Sequence, residues 1–163
     1  MVQRYSIKRF IFLFVLYEFF FFLLIGLMPI KKFIDVNAGF TEGITFLAGK
    51  ILSLFHIPTH VSGSILYCQN VSLDILFGCN GLEAYFIFLG AVLAFPATWR
   101  NRLGAAILGF LVIQSINIFR IVALALCGLY TPKIFEIVHL YVAQGFIIAV
   151  ALITFFLWVR KVV

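Results

Sequence analysis

Charge is scarce in this sequence. Asp, Glu, Lys and Arg make up 11% of its 163 residues against 64% hydrophobic types, and the mean hydropathy is +1.18. A soluble domain is ordinarily about half apolar and a quarter charged. The shortage therefore excludes a water-soluble globule, and the solvent around most of the chain is lipid. Acidic residues are the scarcer sign, six against twelve Lys and Arg, for a formal net charge of +6. The cations stand at the ends of apolar segments rather than in one patch, which reads as membrane orientation; nucleic acid is not an expected partner. The three cysteines, Cys68, Cys79 and Cys127, show no C-x-x-C spacing. Neither a zinc site nor a thioredoxin-type pair is indicated, and no metal or cofactor is expected. Internal repeats are absent, and the one biased tract is a Phe-rich run near the N-terminus. The length allows a single domain, residues 1–163.

What is present is a series of apolar runs. Residues 10–30 follow Arg4, Lys8 and Arg9 and lack the small-residue cleavage site of a signal peptide. About 20 apolar residues cross the hydrocarbon core as a helix. This run is predicted to be a span, with its basic start in the cytoplasm and Pro29 near the outer end. Glu18, near its middle, is costly in lipid and is expected to bond another helix. Residues 38–56 place Phe40, Ile44, Leu47, Ile51, Leu54 and Phe55 at helical spacing, which predicts an amphipathic helix at the outer interface. Over residues 60–77, Val61, Gly63, Ile65 and Tyr67 alternate with polar neighbours, as do Val71, Leu73, Ile75 and Phe77. With Cys68-Gln69-Asn70 between them, this is the pattern of a β-hairpin, placed outside the hydrocarbon because lipid does not tolerate bare strand edges. Further spans are predicted at 80–98, 103–129 and 137–159. Arg100 and Arg102, then Arg160 and Lys161, mark the remaining cytoplasmic edges, while Lys31, Lys32, Lys50 and Lys133 fall outside. The expected fold is an α-helical polytopic membrane protein of about four transmembrane helices, with an outer amphipathic helix and a β-hairpin in an extracytoplasmic segment, residues 31–78.

This topology makes a geometric statement. Cys79 opens the second span from outside and His139 opens the fourth. Arg120 lies about 13 Å below the outer end of the third at 1.5 Å per residue, within reach of a snorkelling guanidinium. A thiolate is the nucleophilic form of cysteine, and a helix N-terminus favours an anion. His139 is suited to take the thiol proton and return it to a leaving amine. Arg120 is too basic to be a general base, but suits a thiolate, an oxyanion or a substrate carboxylate. Asn117, three residues before it on the same helix face, is a candidate to orient it or to donate to an oxyanion. Glu83 and Glu136 are candidates to orient His139 or pair with Arg120. Taken singly, Cys79 reads as a small buried filler, as Cys127 does, and His139 as an interfacial polar group. An intramembrane Arg is a functional candidate by default, and the three at matching depth favour a site. Cys68 and Cys79 share the oxidising side, which leaves a disulfide between them open.

The stretch Cys79-Asn80-Gly81-Leu82, the stretch Asn117-Ile118-Phe119-Arg120-Ile121 and His139 opening the last helix resemble the exosortase/archaeosortase family of polytopic membrane cysteine transpeptidases. The pattern spans residues 60–160. The resemblance implies catalytic roles for Cys79, Arg120 and His139, with Gly81 part of the cysteine motif. It implies an active site facing outward from the cell membrane, and substrates that are secreted proteins ending in a short motif, a transmembrane helix and a basic tail. Cleavage near the motif would be followed by transfer to a cell-surface acceptor. The chain has few spans before the cysteine and so looks like a minimal form, whose signal motif and acceptor are not assigned. Two other readings stand beside this one: a thiol–disulfide membrane protein using Cys68 and Cys79, and a noncatalytic subunit packing against other membrane helices.

Overall fold

The computed structural model of the protein describes residues 6–26, 36–76 and 78–163. Arg4, Pro29, Lys31, Lys32, Asp35 and Phe77 lie outside the described residues, and with them the outer end of the first predicted span. The chain runs α1 (Ile7–Gly26), α2 (Val36–Leu54), β1 (Thr59–Ser62), β2 (Ile65–Cys68), β3 (Val71–Asp74), α3 (Leu82–Ala94) and α4 (Trp99–Tyr130). Its last helical run begins with a 3-10 turn at Pro132–Ile134 and a single turn, α5 (Phe135–Ile137). It widens into a π-helix at Val138–Ala143 and closes as α6 (Gln144–Val162). Among the described residues two helices, α4 and the whole run Pro132–Val162, are long and apolar enough to cross a membrane.

The segment predicted as a span at 80–98 is shorter than expected, 13 residues of helix. Gly81 enters it in the left-handed region at φ 80, and Phe95 leaves it with an extended ψ of 141, the conformation forced on a residue before proline. Thr98 then caps α4 by accepting from the Asn101 N–H at 3.4 Å.

The predicted hairpin is a three-stranded antiparallel meander in the order β1-β2-β3. Its second turn falls at Gln69 and Asn70, as expected. The first expected strand instead folds back on itself, because Gly63 takes φ 59 and lets Ser62 pair with Ile65. The helix predicted over residues 38–56 is present as α2. In α2 the buried stripe is Thr41, Ile44, Thr45, Ala48 and Leu52. Leu47, Leu54 and Phe55 point away from the protein, Leu54 with 77% of its surface exposed.

Packing divides into two apolar cores. One joins α2 and the sheet to the C-terminal half of α4, through Ala48, Leu52, Leu66, Cys68, Val122 and Ala125. The other joins α3 and the first half of α4 to α6, through Phe88, Val92, Ala105, Ile113, Ile147 and Ala151. At the far end of the second core, Phe95 meets Trp158 with ring centroids 5.6 Å apart, and Phe10 meets Phe155 at 6.3 Å. These contacts bring the basic ends of α1, α4 and α6 to one end of the molecule. Large apolar side chains such as Phe12, Phe19, Leu108, Phe119 and Phe156 cover the outer surface, which only a lipid surround makes stable.

Candidate active site

Between the two cores lies a belt of buried polar side chains. Asn80 is fully buried. Its Nδ2 donates to Asn37 Oδ1 at 2.8 Å and to Thr41 Oγ1 at 2.9 Å, and its Oδ1 accepts from the Leu82 N–H at 3.1 Å. Asn80 thereby does what a capping side chain does, taking up one of the orphan donors of the helix start, and it pins α2 to the same point. Cys79, immediately before it, is half-buried, its N–H bonded to the Leu76 carbonyl at 2.9 Å. The thiol therefore stands at the entrance to α3.

Across from it, Cys79 Sγ and His139 Nε2 are 3.8 Å apart, within hydrogen-bond reach for sulfur. His139 lies on the π-helix, stacked on Phe135 with centroids 5.6 Å apart and planes 5° from parallel. Arg120 is buried and lies in electrostatic range of Cys79. Its fork is held on both sides: Nη1 donates to Asn117 Oδ1 and Nη2 to Gln144 Oε1, each at 3.2 Å. The structure thus brings together the three residues singled out in the sequence: Cys79 and His139 approach each other directly, Arg120 lies in electrostatic range of both, and Asn117 orients Arg120.

A comparison with protein-family models matches residues 9–158 to the transmembrane exosortase family (Exosortase_EpsH). The chain belongs to the transmembrane exosortase family. It is accordingly a membrane protein. Searches of the curated proteins and of the solved structures found no match.

The carboxylates of this exosortase-family chain fall differently from one another. Glu83 lies in electrostatic range of Arg120, and its Oε2 would be 3.3 Å from a β-carbon at Gly78. Glu136 is exposed. Among the described residues nothing hydrogen-bonds His139 Nδ1, so neither acid orients the imidazole; the Phe135 ring takes that place. Gly81 has a steric role. A β-carbon there would come within 2.8 Å of both Asn117 Nδ2 and Gln114 Oε1. Glu18 was expected to bond another helix. It abuts Gly90 of α3, but among the described residues neither carboxylate oxygen has a partner.

Gln144 and Gln114 were missed in the sequence. Gln114, Asn117 and Arg120 recur every three residues along one face of an apolar helix, a signal that was available. Gln144 stands five residues after His139, which in an α-helix puts the two on different faces. The π-helix between them has a wider turn and returns the pair to one face; no sequence pattern announced it.

Proposed function

We propose that this protein is a membrane cysteine protease and transpeptidase, cleaving the C-terminal sorting signal of secreted proteins and transferring them to a cell-surface acceptor. The observation that carries this reading is the 3.8 Å approach of Cys79 Sγ to His139 Nε2 beside the Arg120 fork. His139 Nε2 takes the thiol proton, and the thiolate attacks the scissile carbonyl. Arg120 steadies the oxyanion that forms, a role in which a directed donor counts for more than bulk charge. His139 returns the proton to the leaving amine, which departs with the transmembrane helix and basic tail, leaving a thioester on Cys79. A nucleophile from the acceptor then attacks the thioester and frees the thiol. Family membership supports the reaction class. The four-crossing topology with an outward-facing site belongs to the same proposal.

Cys68 is fully buried in the sheet core, and burial pushes its thiol above the usual range, towards the protonated and less reactive form. All three cysteines are free. Cys79→Ala is therefore expected to abolish processing, while Cys68→Ala and Cys127→Ala retain most of it. Mass spectrometry of a co-expressed candidate substrate reads the shortened C-terminus. If Cys68→Ala is equally dead while Arg120→Ala stays active, thiol–disulfide chemistry replaces this reading.

A further inference from the structure

A second cleft flanks the site, on the α2 side of α4. It has a volume of about 560 Å³ and is walled by Phe40, Phe110 and Ile118, with Gly39 and Gly43 on α2 facing Gln114 on α4. Two features of it are unexplained by the packing of the described residues, and a third ties it to the site. Among the described residues a β-carbon at Gly39 or Gly43 would meet nothing within 4 Å, so the described contacts require neither glycine. Gln114 is only 5% exposed, yet among the described residues both its Oε1 and its Nε2 lack a hydrogen-bond partner. A buried carboxamide left so is costly unless something pairs with it. Finally, Gln114 Oε1 also comes within 2.8 Å of where a β-carbon of Gly81 would stand, so the inner end of the cleft lies two residues from the nucleophile.

A carboxamide offers one acceptor and one donor side by side, the complement of a peptide group. Glycines opposite let a backbone approach closely. The geometry points to this cleft as the subsite for an extended peptide backbone, one of whose peptide groups pairs with Gln114 while the chain crosses Gly39 and Gly43 towards Cys79. The inference rests on the thiol-peptidase reading and deepens it: recognition here is of main-chain amide rather than of a particular side chain.

The test uses acetyl-tripeptide chloromethyl ketones of mixed sequence against chloroacetamide, on the full chain in detergent, with alkylation of Cys79 followed by intact mass. In either reagent the cysteine sulfur forms the S–C bond, chloride leaves and the thiol proton passes to base. Relative to their rates with a free thiol in solution, which divides out the different reactivity of the two warheads, the peptide reagents are expected to gain at least about tenfold over chloroacetamide at Cys79, as a pair of added neutral hydrogen bonds allows. Methylating the backbone nitrogens of the peptides should remove most of that advantage on the unaltered protein. Gln114→Leu and Gly43→Leu should lower the peptide-to-chloroacetamide ratio by about tenfold, while Gly104→Ala, in open space away from the cleft, keeps it. An unchanged ratio in Gln114→Leu and Gly43→Leu, or equal rates for methylated and plain peptides, overturns the subsite. Should Gln114→Leu fail to accumulate, the methylated peptides decide alone. Failure of the underlying reading looks different: Cys79 then reacts no faster than Cys127 with any of the reagents.

Discussion

Arg120 carries a cation into a buried position, and among the described residues its fork donates to two neutral carboxamides, Asn117 and Gln144. A carboxylate in their place would neutralise the guanidinium; carboxamides orient it and leave its charge available to Cys79. This arrangement uses the planar fork, which lysine lacks. Arg120→Lys is therefore expected to lower substrate processing by at least about a hundredfold, the range seen when one oxyanion donor is lost, while the protein still inserts and accumulates. Processing normalised to the protein in the membrane checks this. Near-normal activity would reduce Arg120 to a background charge, and failure to accumulate would make it a structural residue. At this scale much of the site was legible in the sequence. Cys79, Asn117, Arg120 and His139 are polar residues in apolar runs, where polarity is expensive enough to stand out. Glu136, a candidate to orient His139 or pair with Arg120 whose alternative was simple surface solvation, is exposed; proximity in sequence to His139 says nothing of where a carboxylate turns.

The elements were legible where their length or period was strong, and not where a local conformation decided. Both long helices, α4 and the run Pro132–Val162, were visible as apolar runs. The hairpin became a meander at Gly63, whose left-handed φ makes a turn inside an alternating stretch. The buried stripe of α2 was not legible because it holds Thr41 and Thr45, with the Thr45 hydroxyl donating to the Thr41 carbonyl at 2.8 Å, while Leu47 and Leu54 face out. The π-helix is the element with most consequence for the site. It brings His139 and Gln144, five apart, to one face, so that one touches Cys79 and the other Arg120. A π-turn is an α-helix carrying one extra residue. Deleting Tyr141, which is exposed, leaves the pair four apart, still on one α-helical face; inserting an alanine after it leaves them six apart, on opposite faces. The deletion is expected to keep more activity than the insertion, which should cost about a hundredfold or more through misplacement. Equal activities of the two variants would show that the π-helix does not set the site.

The whole molecule has more helix than a bilayer needs in one place and less in another. At 1.5 Å per residue, the 32 residues of α4 run about 48 Å, against a hydrocarbon core of about 30 Å. The end carrying Trp99, Arg100 and Arg102 lies with the basic ends of α1 and α6, which the positive-inside rule assigns to the cytoplasm. The surplus length is then at the other end, where α4 packs against α2 and the sheet through Ile121, Val122 and Ala125. On the proposed topology those elements stand outside the hydrocarbon, as strand edges require. By the same measure the 13 residues of α3 rise only about 20 Å, so on the proposed four-crossing topology Cys79 would sit inside the outer leaflet, beneath the sheet rather than at the water surface. The arrangement suits a cut made close to where a substrate helix leaves the membrane. It predicts that Gln69→Cys, at the exposed β2–β3 turn in a chain with Cys68, Cys79 and Cys127 replaced by alanine, is labelled in intact cells by a membrane-impermeant maleimide. Cysteine placed at Asn101, in the first turn of α4, should be labelled only after lysis. The opposite pattern would invert the molecule, setting the thiol on the cytoplasmic side and removing secreted proteins as its substrates.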